Sequence, residues 1–290
     1  MTGVIKYILL IVFQPHFIQL IYYLFMNRIE FIGFSCVGKS TLMERVLKKR
    51  NSKARWMTPD EGRILYLKKK GLSTPFFSRR MLIKLGYFFK NMHSQWALEL
   101  VDNYKSEAMH FAGGCYDGLI DLHLSALCNN KEIPALKRLE SAKIYFQKVI
   151  NDIILLDYMY KDDKLFVMDE GLITINSGIY DLAIYNSSFD KESVNKVNPV
   201  GIVFCQLGLE DNYARMKNRI KEGQGNYLIR YMSDNQLKQL CKQGLESSNR
   251  IAITMKEAGV KVLEIDMASN LNQNAETVCS FINEIEKNYS

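Results

Sequence analysis

The six cysteines of this 290-residue chain, at positions 36, 115, 128, 205, 241 and 279, form no Cys-x-x-Cys pair and no ligand-like cluster with the four histidines. That absence excludes a disulfide framework and a structural zinc site, and leaves a reducing cytoplasm as the simplest compartment. A block of basic residues with interleaved aromatics is also missing: 38 lysines and arginines are scattered among 31 acids, for a net charge of +7. A charge of that size suits an anionic ligand, and its scatter argues against nucleic acid as the partner. No internal repeat and no low-complexity tract interrupts the chain. Its 48% hydrophobic content is that of a globular protein with one large core.

Charge is nearly absent from one stretch, Val4 to Met26, where Lys6 stands alone. At about 20 residues such a run is long enough to cross a bilayer. It lacks the positive leader and the small-residue cleavage site of a secretory signal. As a spanning helix it is interrupted by Gln14, Pro15, His16 and Gln19, and the strand expected over Arg28 to Ile32 follows with no linker. Residues 1–25 are therefore expected to be an apolar extension upstream of Met26 as the natural start. The alternatives are a membrane anchor through residues 4–26, holding the protein at the inner face of a membrane, and a packed extra helix.

From Met26 to Ser290 the patterning is that of an α/β protein. Short apolar runs over Ile29 to Ile32, Ala54 to Met57, Leu165 to Met168, Val200 to Leu207 and Lys261 to Ile265 are separated by helical stretches. They predict a three-layer α/β fold with a mostly parallel sheet of about five strands, ligands binding at the strands' carboxyl ends. Between about residues 76 and 160 strands disappear and apolar residues recur at helical spacing: Leu82, Leu85, Phe89 and Met92, then Ile150, Ile153, Ile154 and Tyr158. This reads as a helical insertion, with breaks at Gly113 to Gly118 and Asn129 to Pro134. A last long helix is expected from Ser233, with Gln236 as its capping-box partner, to Ala258, where Gly259 ends it.

The most specific feature is Gly33-Phe34-Ser35-Cys36-Val37-Gly38-Lys39-Ser40, followed by Thr41, which satisfies G-x-x-x-x-G-K-[ST] in full between an expected strand and an expected helix, Lys39 to Lys48. Glycines let the backbone curl so that successive N–H groups point inward, and the helix start adds its positive dipole end. Lys39 can then reach the β- and γ-phosphates of a nucleotide such as ATP, and the Ser40 hydroxyl is placed for Mg²⁺. Leu165-Phe166-Val167-Met168 ends in Asp169 and Glu170, carboxylates suited to holding Mg²⁺ and accepting a proton, with the two roles open between them. Arg215 and Arg219 fall at i and i+4 of a helix expected over Asp211 to Lys221, so both guanidinium groups share one face.

Weaker signals have plainer readings. Thr58-Pro59-Asp60-Glu61 is accounted for as a helix start, with Glu61 kept as a candidate substrate contact. Arg63, Arg79 and Arg80 could touch an anionic substrate but read as solvated surface residues.

Guanine-nucleotide switches are disfavoured, because Asn195-Lys196-Val197-Asn198 has the wrong fourth residue and Asp169-Glu170-Gly171 lacks D-x-x-G spacing. Transporter ATPases are disfavoured by the lack of an LSGGQ-like signature between Thr41 and Leu165. What remains resembles the P-loop kinase group, nucleoside- and nucleotide-kinase-like P-loop NTPases, over most of Met26 to Asp266. The resemblance implies transfer of the ATP γ-phosphoryl group to a hydroxyl or phosphate acceptor, nucleosides and nucleotides among them, with ATP and Mg²⁺ as cofactors. It also implies that Lys39, Asp169, Glu170, Arg215 and Arg219 act in catalysis, the arginines as a lid hinged at Gly223-Gln224-Gly225. Two rival classes are a P-loop ATPase or switch acting on a protein partner, at a membrane if residues 4–26 anchor it, and a binding module without turnover.

Overall fold

The protein is described by a computed structural model covering residues 27–73, 104–110, 116, 120–121, 124–125, 128, 134–160, 164–175, 198–223 and 229–288. The apolar segment 4–26, Leu82 to Met92, Arg79, Arg80 and the Gln224-Gly225 turn lie outside the described residues, as does all of Gly113 to Gly118 except Tyr116.

Four strands form one parallel sheet: β1 (Asn27–Ile32), β2 (Leu165–Met168), β3 (Gly201–Gln206) and β4 (Lys261–Asp266), in the order β2-β1-β3-β4. β1 and β2 are buried on both faces, as expected for parallel strands covered by helices. One face carries α1 (Lys39–Lys49) and α8 (Leu271–Lys287), which pack on each other over Ile29, Phe31, Val167 and Val203. The opposite core takes in residues of α2 (Pro59–Ser73), α3 (Ala135–Lys148), a π-helical turn (Val149–Ile154), α4 (Leu155–Tyr160), α5 (Leu172–Ile175) and α7 (Asp234–Glu257). α6 (Leu209–Lys221) leads out of β3 and packs on α7. The described residues between α2 and β2 are helical apart from positions 116, 134 and 164. No helix among the described residues is long and apolar enough to cross a membrane.

The fifth expected strand shrinks to a single parallel bridge, Met57 to Phe166 at the outer edge of β2, made by Met57 N–H to Leu165 O at 3.0 Å and Val167 N–H to Met57 O at 2.9 Å. Its neighbours are taken elsewhere. The amides of Arg55 and Trp56 donate to Glu286 of α8 at 2.7 and 2.5 Å, and the next residue, Thr58, already caps α2. That cap is a reciprocal box: Glu61 N–H donates to the Thr58 hydroxyl at 3.3 Å and Thr58 N–H donates to Glu61 Oε2 at 2.9 Å. Arg50 closes on the same carboxylate through both terminal nitrogens, at 2.6 and 2.5 Å, so Glu61 is committed to structure.

Arg63 corrects its expected role as a solvated residue. It is 4% exposed and pairs with Asp60 and with Asp152 of the π-helical turn, the latter at 2.7 Å. Asp152 stands 89 positions away in sequence, which is why local pattern could not foresee the burial. The Ser233–Gln236 box forms as expected at the start of α7, and Gly259, with φ of 83°, follows its end.

Ser233→Ala should cost about 1 kcal/mol, read as a lower urea midpoint, because it removes the acceptor for the Gln236 amide. Glu61 gives a pH signature. Burial pushes its carboxyl up, but hydrogen bonds from Arg50 and Thr58 outweigh that and hold it below its ordinary value of 4.5. Its contribution is then fully present above pH 4.5 and lost as pH falls through the depressed folded value. Wild type should lose stability more steeply than Glu61→Gln in that acid range, measured by urea unfolding at stepped pH.

Candidate functional site

The chain leaves β1 at Ile32 and enters a loop whose conformation requires its glycines. Gly33 has φ of 142°, and a Cβ there would sit 2.5 Å from the Cys205 carbonyl oxygen. Gly38 has φ of 108° and caps α1, and between them Cys36 adopts φ of 65°, rare for a residue with a side chain. The first backbone bond into α1 is Leu42 N–H to Gly38 O at 3.0 Å, so the amides of Lys39, Ser40 and Thr41 have no partner within the helix.

The loop's carbonyls are engaged by side chains around it. Lys39 Nζ donates to Gly33 O at 2.7 Å and to Phe34 O at 3.4 Å. Asn212 Nδ2 donates to Ser35 O at 2.9 Å, and Arg215 Nη1 to Val37 O at 2.9 Å. With the Gly33, Phe34, Ser35 and Val37 carbonyls engaged, what the loop offers a ligand is N–H groups: those of Ser35, Cys36 and Gly38 make no backbone hydrogen bond among the described residues. A curl of open amides ending at a helix N-terminus is an anion site by its own electrostatics.

These amides border a cavity of about 810 Å³, lined by loop residues 33–36 and 38–41, by Glu170 and Thr174 beyond β2, by Arg215 and Arg219 of α6, and by Gly244, Ser247 and Ser248 of α7. The volume falls within the usual range for a small-molecule site. Phe34 lies flat enough on α7 that a Cβ on Gly244 would come 2.1 Å from its ring.

The structure brings together the residues singled out from sequence and refines what each can do. Ser40 Oγ lies 3.3 Å from Asp169 Oδ2, across 129 residues of chain. A hydroxyl and a carboxylate side by side are hard oxygen donors, and this pair fits Mg²⁺. Glu170 lines the cavity and forms an ion pair with Lys148 of α3. Arg215 lines the cavity too, but its guanidinium is committed to the loop and, at 3.3 Å, to the Met267 carbonyl, so it buttresses the loop. Arg219 reaches Cys36 Sγ at 3.8 Å and stands at the mouth of the same space. Gly223, where the expected lid hinge begins, has φ of 74°.

Burial lowers the Lys39 ammonium from its ordinary value, while Glu170 and Asp169 act against that shift and favour the charged form. The neighbouring Cys205 thiol, pushed up to about 12 by burial, stays neutral. Sequence reasoning missed Asn212, Lys148 and Glu30, the last of which reaches the turn that follows β2. Asn212 had a signal, since it precedes Arg215 by one helical turn on the same face.

Gly33→Ala should destabilise the protein by about 2 kcal/mol or more, from a strained φ combined with a backbone collision, measured by chemical denaturation. Asn212→Ala removes a buried donor from Ser35 O and should cost about 1–3 kcal/mol. Exchange of the loop amides should quicken in the same variant. A search with the whole sequence finds no matching protein-family model and no matching curated protein, so the reading of this site rests on its own residues and geometry.

Proposed function

We propose that this chain is a kinase of P-loop NTPase fold that transfers the γ-phosphoryl group of ATP to a hydroxyl or phosphate group of a small acceptor. The observation that carries this reading is the pairing of open amides at Ser35, Cys36, Gly38 and the first turn of α1 with the Ser40–Asp169 contact at their edge, both beside a cavity of about 810 Å³.

The amides of the loop and of the first turn of α1 would hold the β- and γ-phosphate oxygens, and Lys39 would turn from the Gly33 and Phe34 carbonyls toward them. Ser40 and Asp169 would hold Mg²⁺, which when bound neutralises charge on the phosphate oxygens. Glu170, at the cavity wall, would take the proton of an acceptor hydroxyl, with Asp169 the alternative. In the transfer, the acceptor oxygen bonds to the γ-phosphorus as the bond to the bridging oxygen breaks, and ADP leaves with that electron pair. Arg219 would neutralise the charge spread over the moving group while Arg215 keeps the loop in shape. Acceptors would bind on the side of Thr174 and α7, where Ser247 and Ser248 line the cavity. The free thiols of Cys36, Cys128, Cys205, Cys241 and Cys279 suit a cytoplasmic site of action.

The test is ADP release with ATP, Mg²⁺ and a panel of nucleosides, nucleotides, sugars and coenzyme precursors. One acceptor class should stimulate release well above background, and Lys39→Ala should lower the stimulated rate by about 100-fold or more. ATP binding with no stimulation across the panel would count against the kinase reading and favour an ATPase or switch that needs a protein partner.

A further inference from the structure

β1 carries a charged pair in an otherwise apolar strand, and both members are fully buried. Glu30 Oε1 accepts from Arg28 Nε at 2.6 Å and from the Leu172 amide at 3.1 Å, while Oε2 accepts from the Ile173 amide at 2.9 Å. The backbone of Glu30 is in register with Met168, the last residue of β2. Asp169, Glu170 and Gly171 therefore form a turn whose two ends are fixed to one residue: the sheet register places its start beside Glu30, and the Glu30 carboxylate binds its end. Gly171 shows how tight that attachment is, since a Cβ there would fall 2.1 Å from Glu30 Cδ. One residue further, the Thr174 hydroxyl donates to Phe31 O at 3.1 Å and holds the same short helix to the same strand.

β1 runs on directly into the 33–38 loop. We propose that Glu30 is a positioning residue that sets the acid-bearing turn against that loop, and so fixes Asp169 beside Ser40. The inference rests on the nucleotide–Mg²⁺ reading of the site and extends it to a residue outside the cavity. A buried ion pair is a poor device for stability alone, because apolar residues of similar volume serve as well or better. What apolar residues cannot supply is direction. A carboxylate bonded to two successive amides holds the end of the turn at one place and one angle, and Arg28 Nε, donating to the same carboxylate, keeps it aimed. Partners one step removed from a metal ligand commonly contribute about 10–100-fold to metal affinity through such orientation.

The experiment uses the full chain and measures affinity for a fluorescent ATP analogue in Mg²⁺ and in EDTA, with thermal unfolding to show that each variant is folded. The variants are Glu30→Gln, Gly171→Ala and the apolar pair Arg28→Met with Glu30→Leu. The expected result is a loss of about 10-fold or more in the Mg²⁺-dependent gain in affinity, with affinity in EDTA held within about twofold. The apolar pair keeps the test sharp if Glu30→Gln proves unstable, since it leaves no unpaired buried charge. Folded variants that retain the wild-type gain from Mg²⁺ would overturn the role of Glu30 alone. A wild-type chain with no affinity for the analogue in either condition would overturn the nucleotide reading and this inference with it.

Discussion

The satisfaction of the Gly33, Phe34, Ser35 and Val37 carbonyls by side chains around the loop is the constraint on which the rest of the site depends. A loop folded back at Gly33 and Gly38 must do something with both kinds of backbone group. Here Lys39, Asn212 and Arg215 supply donors to the Gly33, Phe34, Ser35 and Val37 oxygens. The curl is thereby held with the N–H groups of Ser35, Cys36 and Gly38 unspent among the described residues. Without those donors, a loop of this shape would satisfy its carbonyls with its own amides or with water, and would lose the arrangement that favours an anion.

The sheet supplies the other half of the geometry. Because β1 lies between β2 and β3, the loop that follows it stands next to the Asp169–Glu170 turn on one side and the start of α6 on the other. Cationic and anionic groups thus reach one cavity from three strand ends. Positive charge comes from Lys39, Arg215, Arg219 and the start of α1. Negative charge comes from Glu170 on the cavity wall, balanced by Lys148 from outside the sheet, and from Asp169 beside Ser40 at its edge. Ligands of open parallel sheets bind at this kind of position, outside the carboxyl ends of the strands.

Much of this was legible in sequence where the physical demand is local. The loop could be read because its glycines, lysine and serine answer to backbone shape and charge within a few residues. The capping boxes at Thr58 and Ser233 could be read because both partners lie within one turn. Failures occurred where the partner is distant. Arg63 looked solvated until Asp152 was brought over it. The expected strand over Ala54 to Met57 was overridden by Glu286, more than two hundred residues away, which takes two of its amides. Glu30 carried a legible anomaly, a buried charge two residues from an arginine on the same face of β1, but its amide partners lie 142 and 143 positions along the chain.

The central claim is that the amides of Ser35, Cys36 and Gly38 to Thr41 are the donors this protein presents to a phosphate chain. Residue-resolved hydrogen exchange on the full chain, with and without ATP and Mg²⁺, tests it most directly. The account predicts that ligand slows exchange at Ser35, Cys36, Gly38, Lys39, Ser40 and Thr41 more than anywhere else in α1 or β1. Unchanged exchange at those six amides under saturating ATP and Mg²⁺, or protection centred on another part of the sheet, would contradict it.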